Sequence, residues 1–429
     1  MELSIAHAGD RRLYAEELPS ALHLASLSAD SRADCVIIGG GYTGVSTALH
    51  LAEQGAKVAL LEAREIGWGA AGRNGGQVNA GLKHEPEEML RDLGPIFGSR
   101  LADFSLNAPD KLFELVERLQ IKCSAERHGT LRVAVSSRHA TNVEQASAQW
   151  SRFGARVQYW GTERLARELG TDHYVGGMFD AGGGSVNPLA LVRGLAGAAQ
   201  AAGASLFERS PAISIRREGS TWEVRTPAAA LRADRVLIAT QAYTGALWPG
   251  LRESLVPVYS SIIASEPLPA ELASSVLPGK QVVYEAGNVT AYFRRDHSNR
   301  LLMGGRGVQQ PADNFHSYRH LVSYATRLWP SLTDVRWTHW WNGQLAISPD
   351  GYPKFHCLGP GLFALVGYYR GVCLGTALGA ELARVLMGGS LESFILPATS
   401  VEKIAFHRYW KTGVALRVLW GRLQDAVGF

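Results

Sequence analysis

The stretch DCVIIGGGYTGVSTALHLAEQGAKVALLEA, Asp34 to Ala63, limits the chain more than any other feature. Cys35-Val36-Ile37-Ile38 is short, β-branched and apolar, as a strand buried on both faces should be. Gly39, Gly41 and Gly44 then stand in G-x-G-x-x-G spacing. Val45, Leu49 and Ala52 follow at helical spacing, Gly55 ends the helix, and Lys57 to Leu61 predicts a second parallel strand closing on Glu62. Strand, glycine turn, helix and a placed acid together make the dinucleotide-binding βαβ unit of about 30 residues.

Each part has a physical task. Gly39 permits a tight turn, Gly41 lets a pyrophosphate approach the backbone, and Gly44 lets helix and strand pack closely. Free N–H groups and the helix dipole face the phosphates. Glu62 is placed to accept hydrogen bonds from ribose hydroxyls, and its negative charge disfavours a 2′-phosphate. NADP is therefore disfavoured, while FAD and NAD remain.

The rest of the chain sets bounds. A length of 429 residues, 46% of them hydrophobic and 19% charged, suits two globular domains. A net charge of +4 is too small to imply nucleic-acid binding. Cys35, Cys123, Cys357 and Cys373 are widely spaced without a CxxC, so neither a disulfide framework nor a metal site is indicated. The N-terminus lacks a basic start followed by an apolar core, and no apolar run reaches the roughly 18 residues of a membrane span. A cytoplasmic protein is expected.

The nucleotide-binding pattern is interrupted rather than continuous. Amphipathic helix from Arg100 to Leu119 leads to a strand at Gly129–Val135, and a helix follows Pro188. Residues 251–342 alternate apolar and polar with many aromatics, as an antiparallel sheet would. Leu362 to Gly367 predicts a strand feeding a glycine turn and a helix near Gly371. The reading is a Rossmann-like α/β nucleotide domain (30–88, 155–250 and 343–395) interleaved with an α+β antiparallel-sheet substrate domain (89–154 and 251–342). Residues 1–29 form an N-terminal extension, and 396–429 an amphipathic tail.

After Glu62 comes IGWGAAGRNGGQV, residues 66–78, whose glycines suit backbone wrapped around a flat ligand. This segment resembles the D-amino-acid-oxidase-like superfamily of FAD enzymes, most closely its γ-glutamylputrescine oxidase branch. The likeness continues through ADRVLIAT (233–240), YFRRDHSNRLLMGG (292–305), WNGQLAISPDGYPKF (341–355) and GYYRGVCLGTALG (367–379). It implies FAD rather than NAD, with Ala71, Gly72, Arg73, Asn74, Gly75, Gly76 and Gln77 around the isoalloxazine ring. Thr240, Gly371, Val372 and Gly375 complete the expected cofactor set, the helix after Gly371 offering N–H groups to the flavin N1/C2=O edge. Gly343 stands where some relatives carry a flavin-linking cysteine, which implies non-covalent FAD.

The resemblance also implies a reaction: a C–N bond is oxidised by hydride transfer to flavin N5, with oxygen or a quinone as the acceptor. No catalytic base is nominated, because desolvation can lower an amine's pKa without one. His84, His128, His297, His339 and His356 are read as structural. Gly367-Tyr368-Tyr369-Arg370-Gly371 departs from the branch's GYSGHG-type turn and is closer to the GHYRNG turn of glycine oxidases. Arg370 then offers a bidentate fork for a substrate carboxylate. That points to an amino acid or a cyclic secondary amino acid, such as L-pipecolate. A γ-glutamylated polyamine fits instead if Arg370 faces away. Among Tyr259, Tyr284, Tyr292, Trp340 and Trp341, only Tyr259 and Trp341 are assigned to the pocket wall.

The tail reads FHRYWKTGVALRVLWGRLQDAVGF from Phe406. Trp410, Val414, Val418 and Leu419 form an apolar stripe flanked by Arg408, Lys411, Arg417 and Arg422. The helix either docks on its own protein or makes peripheral contact with the inner membrane surface.

Overall fold

A computed structural model of the chain describes residues 12–18, 22–287 and 290–427, with side chains through Gly421. The apolar run at Cys35 becomes the strand Ser31–Ile38, the centre of a nine-stranded sheet. It pairs in parallel with Val58–Leu61 on one side and Ala230–Ile238 on the other. Ser205–Phe207 and Leu362–Val366 extend the parallel core at its two ends. Cys35 and Ile37 face a layer of helices, whereas Val36 and Ile38 face an opposite apolar layer with Trp222 and Val224. Burial on both faces explains why the run carries no polar alternation.

The helices Tyr42–Glu53, Pro188–Ala201 and Cys373–Leu386 cover the first face. The long helix Pro86–Arg118, kinked at Gly94 (φ 74°), packs on Cys373–Leu386. Residues 89–118 therefore cover the nucleotide domain, not the substrate domain to which the sequence pattern gave them.

A second sheet of eight strands begins at Trp337–Ile347 and runs through Val256–Pro267, Arg300–Arg306, Tyr292–Arg295 and Val282–Glu285. Thr130–Ala134, Gly176–Asp180 and Val157–Gly161 complete it. Every pairing is antiparallel except the parallel one of Val282–Glu285 with Thr130–Ala134. One face packs against the helix Arg319–Leu328. From the other, Ile262, Leu302 and Trp341 join the core shared with the nucleotide domain.

The interleaving is as expected, with corrected borders. Val157–Gly161 and Gly176–Asp180 belong to the second sheet, although 155–250 was assigned to the nucleotide domain. The strand Trp337–Ile347 likewise crosses the expected border at 343. Within the N-terminal extension, Leu13, Tyr14, Leu24 and Leu27 are buried.

Candidate active site

The glycine turn shows which of its glycines the protein itself requires. Gly39 has φ 116°, and a Cβ there would lie 2.6 Å from the Ala239 carbonyl oxygen. A Cβ on Gly44 would lie 2.0 Å from the Gly39 oxygen, so strand and helix meet with no room for a side chain. Gly41 is different. Its backbone is extended (φ −90°, ψ −175°), and a Cβ would meet only Ala71 Cβ at 3.9 Å. Nothing in the described protein demands glycine there. The open space before the helix N-terminus is what a pyrophosphate needs, so this cradle fits FAD. Glu62 stands beside it, its Oε2 accepting from the Gly40 N–H (2.7 Å) and its Oε1 from the Arg64 N–H (2.8 Å). Burial raises its carboxyl pKa above the usual range.

A second helix start converges on the first. Thr43 Oγ1 donates to the Gly375 carbonyl (3.1 Å), and Ser46 Oγ to the Thr376 carbonyl (2.7 Å), so Tyr42–Glu53 and Cys373–Leu386 cross near their N-termini. Gly375 and Gly379 permit the crossing, because a Cβ on Gly379 would lie 2.5 Å from Ser46 Cβ. Gly371, just before the second helix, resembles Gly41, with nothing nearer its Cβ position than Tyr368 at 3.7 Å. Val372 caps that helix, and Cys373 Sγ donates to the Asn79 carbonyl at 3.1 Å. Burial pushes the Cys373 thiol up to about 11, which keeps it a poor nucleophile. Thr240 pairs with Thr244 (Oγ1 to Oγ1 2.6 Å) beside Gln241, whose side chain accepts from the Gly367 N–H.

The loop from Gly67 to Gln77 is folded by its own side chains. Asn74 Nδ2 donates to the Ala70 and Ala71 carbonyls (3.0 and 2.9 Å), and its Oδ1 accepts from the Gly76 N–H (2.8 Å). Gly72 approaches the Gly67 carbonyl too closely for a Cβ, and Gly75 abuts the Tyr292 ring. Gln77 reaches the Val283 carbonyl of the second sheet. Arg73 is only 2% exposed, and its guanidinium donates to the Trp68 and Asn342 carbonyls (3.0 and 3.2 Å). It ties the loop to the second sheet. Tyr42, inside the fingerprint but not assigned a role from sequence, donates to the Ala71 carbonyl and braces the loop from below.

Neither aromatic expected at the pocket wall, Tyr259 or Trp341, lines the Arg370 cavity. Trp341 has no exposed surface. Its indole N–H donates to the Arg73 carbonyl (2.9 Å), and its ring meets Tyr14 edge-on at 5.1 Å. Along Val256–Pro267 side chains alternate, so Tyr259 takes the face opposite Ser260 and Ile262. Its hydroxyl lies 3.4 Å from Gln344 Oε1. The face toward the nucleotide domain carries Tyr292 instead, hydrogen-bonded to Ser260 (2.8 Å) beside Gly75 and Gln77.

Arg370 occupies a left-handed backbone position (φ 54°) and lines a cavity between the two domains with Arg132, Asp180, Tyr284, Trp150 and Met178. It donates to the Ala80 carbonyl and to the Tyr284 hydroxyl (3.1 Å), its guanidinium 5.2 Å from that ring. No carboxylate of the described residues lies within ion-pair distance of it. Arg132 is paired with Glu85. Asp180 is 7% exposed, its Oδ1 accepting from the Gly182 N–H, and burial raises its carboxyl pKa. Arg132 and Asp180 carry no local sequence signal; sheet pairing alone brings them to this cavity. Among the described residues one cluster, Glu17, Asp296 and His297, groups three metal-type ligands, with the charges of Arg294 and Arg300 acting on it. No described helix is long and apolar enough to cross a membrane.

Comparison with known proteins agrees with this geometry. Residues 34–385 match the family described as FAD dependent oxidoreductase, DAO. A probable oxidoreductase OrdL of Rhizobium meliloti is 32% identical, the match covering 92% of each chain. The gamma-glutamylputrescine oxidoreductase of Escherichia coli is 30% identical over 86% of this chain and 87% of its own. The glycine oxidase structure from Geobacillus kaustophilus superposes with a TM-score of 0.73 at 25% identity, covering 85% of this chain and 96% of that one. The chain belongs to the DAO family and is an FAD-dependent oxidoreductase of amines or amino acids.

Proposed function

We propose that the protein oxidises the C–N bond of a substrate bearing a carboxylate, an amino acid or a cyclic secondary amino acid such as L-pipecolate. The observation that carries this reading is Arg370, a guanidinium turned into the interdomain cavity with no carboxylate of the described residues within ion-pair distance, although its charge is felt by the buried Asp180 in the same cavity. A substrate carboxylate would pair directly with this fork, which the Tyr284 hydroxyl and Ala80 carbonyl hold in place. When bound, FAD supplies the two-electron acceptor for the C–H bond next to nitrogen. Gly41, Glu62, the loop to Gln77 and the helix start at Gly371 are the residues that would hold it. The apolar wall of Leu82, Leu106, Met178 and Trp150 excludes water and favours the neutral amine.

A γ-glutamylated polyamine is the second reading. The Escherichia coli relative favours it, and so does Asp180, whose carboxylate suits a second cationic group. An anaerobic screen separates the two by recording flavin bleaching with amino acids, cyclic imino acids and glutamylated polyamines, in the wild type and in Arg370→Ala. Bleaching by glutamylated polyamines alone, unchanged in the variant, would overturn the first reading. Peroxide release against dye-coupled turnover distinguishes oxygen from a quinone as acceptor.

A further inference from the structure

The tail helix Trp410–Val427 carries two apolar faces, and the fold uses one of them. Val414, Val418 and Gly421, at i, i+4 and i+7, turn inward, Val414 being 8% exposed. The approach to the helix is pinned: Ile404 N–H donates to the Glu253 carbonyl (2.9 Å), and a His407 ring nitrogen lies 2.8 Å from the Leu255 carbonyl. Docking on the protein therefore holds for this face, but Leu419, expected on the same stripe, turns away from it, because 3.6 residues per turn set it apart from Val414 and Val418.

The opposite face is not covered. Leu416, Leu419 and Trp420, at i, i+3 and i+4, stand 61%, 57% and 59% exposed, and Phe406 and Tyr409 continue the patch. Among the described residues, the other exposed large apolar side chains stand singly apart from the pair Met387 and Leu391, whereas these five fall within fifteen residues. A clustered patch calls for a partner, and scattered ones do not. The charges around it choose the partner. Residues 401–429 contain five Lys or Arg against two acids, and Arg408, Lys411 and Arg417 border the apolar side chains as exposed cations. Apolar and aromatic side chains rimmed by basic ones match the boundary between acyl chains and anionic headgroups.

We infer that this outward face docks the protein on an anionic lipid surface, with Leu416, Leu419 and Trp420 entering the interface and Arg408, Lys411 and Arg417 at headgroup level. The inference stands apart from the choice of substrate.

The test is co-sedimentation of the FAD-loaded full chain with vesicles of phosphatidylglycerol and phosphatidylcholine, and with phosphatidylcholine alone. Binding to the anionic vesicles only, weakened by salt, is expected. The triple substitution Leu416→Ser, Leu419→Ser, Trp420→Ser should lower the partition coefficient roughly hundredfold or more while flavin content and melting temperature hold. Should that variant lose its fold, Arg408→Glu with Lys411→Glu repeats the test by charge alone and should also abolish binding. A wild-type protein that stays in the supernatant, or binds both vesicle types equally, overturns the inference. So does a dimer in sedimentation velocity that the serine variant converts to monomer, since the face then joins two copies of this chain.

Discussion

The cradle around Gly39–Gly44 and the cavity around Arg370 lie on the same seam between the domains but are made of different material. The cradle is backbone: two helix starts, an extended glycine and carbonyls that leave no room for a Cβ. The cavity is side chain: two guanidiniums, a buried carboxylate and a phenol from separate segments. A backbone site answers to sterics and fails abruptly. A side-chain site answers to charge and hydrogen bonding, so its responses are graded and specific to the ligand.

That contrast is sharpest at two glycines. Gly44→Val should cost more than about 4 kcal/mol and abolish the fold, because its Cβ position is 2.0 Å from the Gly39 carbonyl. Gly41→Val should keep the melting temperature of the apo-protein yet purify without flavin absorbance, since only the ligand occupies the space it fills. Normal flavin content in Gly41→Val would break the comparison at its root. Arg370→Ala comes next. It should lower kcat/KM for a carboxylate substrate by roughly 2–5 kcal/mol in activation free energy, with little effect on the same amine lacking the carboxylate. Arg370→Lys should restore only part of the loss, for want of the planar fork.

Smaller effects test the framework around the site. Trp341→Phe leaves the buried Arg73 carbonyl without its donor and a void where the larger ring was, and should cost roughly 2–4 kcal/mol in denaturant unfolding with KM unchanged. A changed KM at full stability would return Trp341 to the pocket wall. Glu285 accepts from Tyr174 (3.0 Å), Tyr324 and the Ala291 N–H, and burial raises its carboxyl pKa. A raised carboxyl binds its proton more tightly folded than unfolded. Its contribution is thus fully present below the ordinary glutamate pKa and is lost as pH climbs through the raised one. Glu285→Gln should flatten that stretch of the stability profile, read by thermal unfolding from acid to neutral pH.

How much the sequence disclosed follows the same division. Strand, turn, helix and Glu62 were legible because the unit pairs with itself within about 30 residues, Val58–Leu61 on Ser31–Ile38, and glycine spacing records where a side chain cannot go. Val157–Gly161 and Gly176–Asp180 could not be assigned to a sheet, since a short apolar strand does not say which distant partner it pairs with. The placing of Tyr259 and Tyr292 on opposite faces was hidden for a related reason. The strand Val256–Pro267 is covered on both faces, so its burial pattern shows no alternation to reveal which face meets the cofactor. Arg370 stood out only because its turn departs from the branch pattern. Arg132 and Asp180 had no such mark.

The interleaved topology has a cost in time. Ile38 ends the central strand, and its partner Ile238 is made 200 positions later, with Ala364 beyond that. At ribosomal rates of roughly 5–20 residues per second, one edge of that strand, apolar from Cys35 to Ile38, waits roughly 10–40 s for its neighbour. The nucleotide domain cannot close until the substrate domain's last strand, Trp337–Ile347, has emerged as well. Ribosome-bound chains stopped before residue 362 should therefore remain protease-sensitive throughout, and the yield of folded protein should depend on chaperones that shield a half-built sheet. The shared seam that brings cofactor and substrate together also delays the birth of either half.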